Sequence, residues 1–356
     1  MGSPDGDDTC PVTGATVAAV WPCVQFLEMV FEESPLSAVN PPLVTVITPT
    51  FNRAAFLRET ITSVLTQDYP NIEYIVLDDG STDDTLAVVE EYRGRVTYIS
   101  HANMGHARTV NIGLQMARGE YVGVVNSDDP ILPGLVRRAV EAFQEAPHLL
   151  VVYPDWRMID QASNTVKRVR TPDYDYPNMV RWQKCLIGPG AFMRKAALSL
   201  EPGWDPTYRF VGDFGYWLRL GLHGPFARIP AVLATHRVHP GAASGQEDQA
   251  WAAETMRLVD AYFARAHLPP EVRKLEREAR CNATYNAGRI CMASAPQQAR
   301  AYFRESLRYS LSSYLRWRPQ RLVMLAVAYL PGTLSPVARK WLEKLAKSPL
   351  RYYRKS

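Results

Sequence analysis

Ile72-Glu73-Tyr74-Ile75-Val76-Leu77-Asp78-Asp79-Gly80-Ser81 and Tyr121-Val122-Gly123-Val124-Val125-Asn126-Ser127-Asp128-Asp129 decide the reading of this chain. In each, a short apolar run of the kind buried on both faces of a parallel sheet breaks directly into an acidic turn. Ligands of open α/β sheets bind outside the carboxyl ends of the strands. Two carboxylate pairs at that edge point to a site for a metal and a polar ligand.

Working outward, strand and helix patterns alternate. Residues 43–48 read as a β-branched strand, and 55–67 as an amphipathic helix broken at Tyr69-Pro70-Asn71. The second strand covers 74–77, after which Ser81-Thr82-Asp83-Asp84 offers N-cap side chains to a helix ending near Tyr92. A strand at 96–100, a helix at 107–118, a strand at 121–125 and a helix at 133–144 follow, with Pro133 at a tolerated early position. This order predicts an α/β fold with a mostly parallel sheet and right-handed crossovers.

The rhythm changes after Leu149, with a strand at 150–153, a hairpin around 161–164, and loops carrying Gly188-Pro189-Gly190 and Gly203-Trp204-Asp205-Pro206. From Glu247 the pattern is helical, interrupted at Pro269-Pro270, Pro319, Pro331 and Pro336. Residues 282–309 have the small-residue look of one tetratricopeptide helix pair, which is not an array. The expected organisation is an irregular extension over 1–42 with a short helix near 17–32, a main domain over 43–245 and a helical region over 246–356.

Composition narrows the classes. The 356 residues are enough for a sizeable core, and the net charge of +4 is too small to imply nucleic acid. That charge is uneven: seven basic residues against Glu343 give residues 339–356 a net +6, leaving −2 for the remainder. Trp341, Leu342, Leu345, Leu350, Tyr352 and Tyr353 are interleaved with these cations, a pattern that suits either an anionic membrane surface or a solvated tail. The five cysteines are scattered without a C-x-x-C pair, as expected of a reducing compartment rather than a zinc site or disulfide framework. The acidic head before residue 15 lacks the basic start of a signal peptide, and no apolar run reaches the roughly 20 residues of a membrane span. The expected location is cytoplasmic, with peripheral contact on the inner face of the cytoplasmic membrane if the tail binds there.

Several motifs occur in a fixed order: Val44-Thr45-Val46-Ile47-Thr48-Pro49-Thr50-Phe51-Asn52-Arg53, Leu77-Asp78-Asp79-Gly80-Ser81-Thr82-Asp83, Asn103-Met104-Gly105-His106-Ala107-Arg108 with Asn111, Asn126-Ser127-Asp128-Asp129, and Gly212-Asp213-Phe214-Gly215-Tyr216-Trp217-Leu218-Arg219. Over residues 43–244 they resemble family 2 glycosyltransferases. The resemblance implies a GT-A fold, a Rossmann-like sheet flanked by helices, with a nucleotide-sugar half (43–130) and an acceptor half (131–245). It also implies inverting transfer from a nucleoside-diphosphate sugar, UDP-sugar by default, to a hydroxyl of a glycan or lipid-linked acceptor. Members serve polysaccharide, glycolipid and glycoprotein pathways.

Roles carried over from the resemblance have physical counterparts. A departing diphosphate needs its charge neutralised, which a Mn²⁺ or Mg²⁺ ion held by one or two carboxylates does. Asp128 and Asp129 are the candidate ligands. The family pattern usually begins with Asp where this chain has Asn126, which brings no charge but can hydrogen-bond ribose. His239, in a loop resembling the one that closes family active sites, is a further candidate for metal or diphosphate. Asp78 or Asp79 would read the nucleobase, with Thr48, Pro49 and Phe51 lining its other side. Arg108 at a helix start suits phosphate. Asp213 is the candidate base, although a helix N-cap would use Asp equally well; the family's paired carboxylate is here Gly212-Asp213. Gly188 and Gly190 would shape the acceptor pocket. Trp217 and Trp204 would either stack on sugar or fill the core.

Asn126 and the single carboxylate at Asp213 also keep open an inactive nucleotide-sugar-binding or scaffold protein on the same fold. A dinucleotide oxidoreductase is disfavoured, because Pro49-Thr50-Phe51-Asn52-Arg53 lacks the glycines that let a backbone approach pyrophosphate.

Overall fold

The computed structural model describes residues 40–239, 248–292 and 294–309, with Tyr329. The chain divides into two compact units, residues 1–40 and 41–356, and the architecture below is that of the second. The helix expected near 17–32, the chain beyond Tyr309 apart from Tyr329, and the basic tail lie outside the described residues.

Eight strands form one sheet: β1 (Val44–Thr50), β2 (Ile72–Asp78), β3 (Thr97–Ser100), β4 (Tyr121–Val124), β5 (Val151–Ile159), β6 (Thr165–Val169), β7 (Phe192–Arg194) and β8 (Phe226–Arg237). Their order is β3-β2-β1-β4-β7-β5-β6, with β8 paired to β5. The first four are parallel, β7 runs antiparallel between β4 and β5, and β8 runs parallel to β5. The carboxyl ends of β1, β2, β4, β5 and β8 therefore share one edge.

The helices are α1 (Ala54–Leu65), α2 (Thr85–Glu90), α3 (His106–Met116), α4 (Leu135–Glu145), α5 (Tyr176–Trp182), α6 (Gly212–Leu220), α7 (Asp248–Phe263), α8 (Pro270–Arg273), α9 (Glu276–Cys291) and α10 (Pro296–Tyr309). One face of the sheet is covered by Leu57, Ile61 and Val64 of α1, Val88 and Val89 of α2, and Leu135 to Phe143 of α4. The other packs Ile47, Ile75, Leu77 and Val122 beneath α3, α5, α6 and α7. Alternate residues of β1 thus enter opposite cores, as the two-residue period of a strand requires. A third, smaller cluster joins α9 and α10, where the glycine at 288 leaves room for Phe303: a Cβ there would lie 2.7 Å from its ring.

The expected elements are present with shifted ends. Asp83 starts two helices at once, its Oδ2 accepting the Ala54 amide (3.0 Å) and its Oδ1 the Thr85 amide (3.1 Å). Pro133 stands outside α4, whose N-cap is Gly134 in the left-handed region at φ 87°. The strand expected at 150–153 continues to Ile159 and turns through Asp160, Ser163 and Asn164 into β6, the expected hairpin. Among the described residues no helix is long and apolar enough to cross a membrane. Cys185 is a free thiol.

Candidate active site

The shared strand edge gathers most of the candidate residues, but their surroundings divide them. Asp128 and Asp129 follow β4 with different tasks. Asp129 is buried; its Oδ1 accepts the Arg237 amide (2.7 Å) and its Oδ2 the Asn126 side-chain amide (3.2 Å), with His236 Nδ1 a further 3.5 Å from Oδ1. It fastens the turn to the end of β8. Asp128 faces the cleft, its Oδ2 2.9 Å from His239 Nε2 and 3.7 Å from Arg53 Nε. His239 is held against the Phe56 ring at 4.9 Å between centroids.

That pair fits a hard divalent cation. Ligand atoms at right angles around an ion with bonds of about 2.1 Å are about 3 Å apart. The Asp128–His239 separation matches this spacing, and it is also the length of the hydrogen bond the two side chains make with each other, which a bound ion would replace. Two protein ligands leave the remaining positions for phosphate oxygens and water, the usual arrangement for such ions. Asp129, also expected as a ligand, has both its oxygens hydrogen-bonded within the protein. Among the described residues no cluster of three or more His, Cys, Asp or Glu side chains is arranged around a common ion position.

Asp78 and Asp79 are also buried and internally bonded. Asp78 accepts the Ser81 amide (2.9 Å), the Tyr98 hydroxyl (2.8 Å) and the Ser100 hydroxyl (3.2 Å). Asp79 accepts the Met104 and Gly105 amides at 2.7 and 3.0 Å, which fixes the loop leading into α3. With 3% and 4% exposure neither presents an open carboxylate. Thr48 is corrected likewise: it is fully buried, and its hydroxyl bonds Tyr74 at 3.0 Å beneath α1. Pro49 is buried in β1, whereas Phe51, at 45% exposure, offers a free ring at the strand end. Arg108 is exposed on the first turn of α3.

Asp213 lies in the first turn of α6, whose N-cap is Val211, so its side chain is not the helix cap. Burial raises its carboxyl above the usual value, against the Phe214 amide (2.6 Å to Oδ1) and the nearby His106. A carboxylate held in that way is a better proton acceptor. His106 stands between the two halves of the cleft: its Nε2 is 3.2 Å from Asn126 Oδ1 and its ring 5.4 Å from that of Trp204. Desolvation lowers its basicity, opposed by the Asn126 bond and by the charges of Asp213, Asp128 and Asp79. His106 lay within a quoted motif, yet no local pattern marked it. Arg237, fully buried at the end of β8, was likewise unmarked, its partners being far away in sequence.

On the acceptor side, Trp217 is 8% exposed and packed on Tyr216 and Phe226, the core-filling alternative of the two expected for it. Gly188 and Gly190 give close packing within the protein: Cβ atoms there would lie 2.5 Å from Trp156 Nε1 and 2.7 Å from the Ala234 Cβ. Trp204 is the partly open indole. Asn111 grips its backbone with two bonds of 2.8 Å, and Gly203 permits this, since a Cβ there would meet Asn111 Oδ1 at 2.4 Å. Trp204 also lines a cavity of about 410 Å³ with Tyr208, Tyr262, Arg219 and Arg265. Glu201, buried at its wall, bonds Arg219 and Arg265 at 2.9 Å each.

Comparison with known proteins agrees with the fold. Residues 45–199 match the model for glycosyl transferase family 2. The chain is 29% identical over 204 residues to the chondroitin synthase of Escherichia coli, covering 56% of this chain and 29% of that protein. It spans less than two thirds of the length of the first curated relatives it matches. Residues 1–349 of S. aureus TarS in complex with UDP-GlcNAc superimpose with a TM-score of 0.61 at 19% identity, over 80% of this chain and 87% of that one. The mannosyltransferase PcManGT from Pyrobaculum calidifontis, in complex with GDP-Man and Mn2+, gives 0.52 at 19% identity, over 80% and 86%.

Proposed function

The chain carries a family 2 glycosyltransferase domain with the GT-A fold, and on that premise we propose that it moves a sugar from a nucleoside-diphosphate sugar to an acceptor hydroxyl with inversion at the anomeric carbon. What supports this reading is that His106 lies within reach of the charges of both Asp213, whose carboxyl has raised proton affinity, and Asp128, which pairs with His239. Asp128 and His239 would hold a Mn²⁺ or Mg²⁺ ion, which would supply positive charge to the departing diphosphate. Phe51 stacks on the base, with Asp78 and Asp79 shaping the turn beside it. Arg53 and Arg108 face the phosphates. Asn126 positions His106 and the ribose side of the donor. Asp213 takes the proton from the acceptor hydroxyl on the side opposite the leaving group, the arrangement that inversion requires. Trp204 and its cavity receive the acceptor.

UDP-sugar is the proposed donor, supported by the TarS complex with UDP-GlcNAc, and the acceptor is a glycan or lipid-linked glycan. The test is release of nucleoside diphosphate and transfer by purified protein with a panel of nucleotide sugars. Turnover with one donor, lost in Asp213→Asn while donor binding persists, is the expected result. Neither transfer nor donor hydrolysis with any of them leaves the inactive sugar-nucleotide-binding protein, the reading that Asn126 and the lone Asp213 carboxylate favour.

A further inference from the structure

A cavity of about 510 Å³ opens behind the acidic turn, between α1 and the β5–β6–β8 end of the sheet. Arg58, Glu59 and Thr62 of α1, Arg157 of β5, Ser163 of the hairpin turn and Thr235 of β8 are among its walls. Two observations give it an excess of positive charge. The Nε of Arg157 is buried without a hydrogen-bond partner. A buried donor left in that state is destabilising, and an acceptor in the cavity would recover the lost hydrogen bond. Arg168 is exposed and outside the cavity wall, but it stands directly opposite Arg157 in the β5–β6 ladder, on the same face of the sheet, and adds its charge to the surroundings. Like charges in that position repel, and no ion pair among the described residues relieves either one. Glu59, the acid in the wall, is already neutralised by Arg237 at 2.6 Å, and Arg58 is paired with Glu91.

We propose that this cavity is a second ligand site, taking the carboxylate or phosphate of an acidic saccharide. The Arg157 guanidinium in the wall suits a planar or tetrahedral oxyanion, and the neighbouring Arg168 favours the same charge from outside the wall. The volume suits one or two sugar rings, within the range of small-ligand sites. Hydroxyls of Thr62, Ser63 and Thr66 along α1 face sugar hydroxyls, while Ile131 and Ile159 give an apolar floor for the C–H face. The anion follows from the charge of the cavity alone; the choice of a saccharide rests on the glycosyltransferase reading. The site is coupled to the cleft through one side chain, because Glu59 and Ser163 both bond Arg237, whose Nε donates to the Asp128 carbonyl at 2.9 Å.

The test is isothermal titration of the full chain with glucuronate, glucose 1-phosphate, inorganic phosphate and glucose. At least one acidic sugar should bind tenfold or more tighter than glucose and inorganic phosphate. Arg168→Gln should weaken that binding at least fivefold and Arg157→Gln abolish it, with Asp128→Asn leaving it unchanged. If Arg157→Gln does not fold, Arg168→Gln, on an exposed strand, decides. Acidic sugars binding no tighter than glucose, or as well to both arginine variants, would overturn the proposal. Equal binding of inorganic phosphate would overturn the saccharide. Loss of binding in Asp128→Asn would move the anion to the cleft and also overturn it.

Discussion

Replacing Arg237 with Met should destabilise the protein by about 3–5 kcal/mol, the range for removing one partner of a buried ion pair. Arg237 is 1% exposed, and its guanidinium connects three segments of the strand edge. Nη2 donates to Glu59 Oε2 at 2.6 Å, Nε to the Asp128 carbonyl at 2.9 Å, and Nη1 to the carbonyls of Asp160 and Gln161 and the Ser163 hydroxyl at 2.9, 3.2 and 3.0 Å. Not all of these weigh equally. Gln161 is exposed and Asp160 half-buried at the hairpin tip, so water can replace the lost donor there. The Glu59 side chain is 46% exposed, which brings its share toward the lower end of a charged hydrogen bond, about 1.5 kcal/mol. The Asp128 carbonyl lies deeper, and losing its donor adds about 1–3 kcal/mol. Loss of the cation over the Phe56 ring, 4.8 Å from its centroid, contributes about 1 kcal/mol more. Met keeps the volume, so no large cavity term enters. At about 2–4 °C per kcal/mol for a domain of this size, the unfolding midpoint should fall by about 6–20 °C. Arg237→Lys keeps the charge but not the fork and should fall between. Differential scanning calorimetry on both variants measures the effect. A midpoint for Arg237→Met within about 3 °C of wild type would refute the idea that this side chain ties the hairpin and α1 to the acidic turn.

Asp213→Asn should reduce transfer by about 10²–10⁴-fold in a donor-consumption assay. The same variant should be more stable than wild type at pH 7. Because the fold raises this carboxyl's pKa, the native state holds its proton more tightly than the unfolded chain, so ionisation destabilises it. That penalty is absent below the unfolded value of about 4 and complete above the folded value, so the two melting curves should converge in acid. Asp128→Asn should keep the wild-type fold by circular dichroism but lose the Mn²⁺ dependence of nucleotide binding, whereas Asp129→Asn should lower the midpoint itself, since it weakens the Arg237 and Asn126 contacts. Deleting residues 339–356 should weaken sedimentation with anionic liposomes, most at low salt, and equal binding with and without the tail would end the membrane idea.

The parts of the fold that were legible in the sequence are those decided locally. The buried runs of β1, β2 and β4, the acidic turns after β2 and β4, and the helix start at Asp83 each announce themselves within about ten residues. What was not legible depends on partners far along the chain. Asp128 and Asp129 are chemically identical neighbours, and only the return of β8, with Arg237 and His239, turns one into the cleft and the other into the protein. Asp78 and Asp79 look like open ligands until Tyr98 and the 103–105 loop close on them. Trp217 and Trp204 are indistinguishable as aromatic residues near a glycine; the helix face of α6 buries one, and Asn111, 93 positions away, holds the other at the cleft. Gly188 and Gly190 are expected to shape the acceptor pocket; their close neighbours are Trp156 and Ala234, on strands that no local pattern brings together.

The central claim, a nucleoside-diphosphate site organised around Asp128, is tested most directly by thermal unfolding with UDP, GDP, dTDP and CMP, each with Mn²⁺ and with EDTA, on the wild type and Asp128→Asn. A ligand that binds only the folded state raises the midpoint by mass action, by about 2.7 kcal/mol at a hundredfold excess over its dissociation constant. The expected result is a rise with UDP that requires Mn²⁺ and disappears in Asp128→Asn. No rise with any nucleotide, or a rise indifferent to both EDTA and Asp128→Asn, would contradict it.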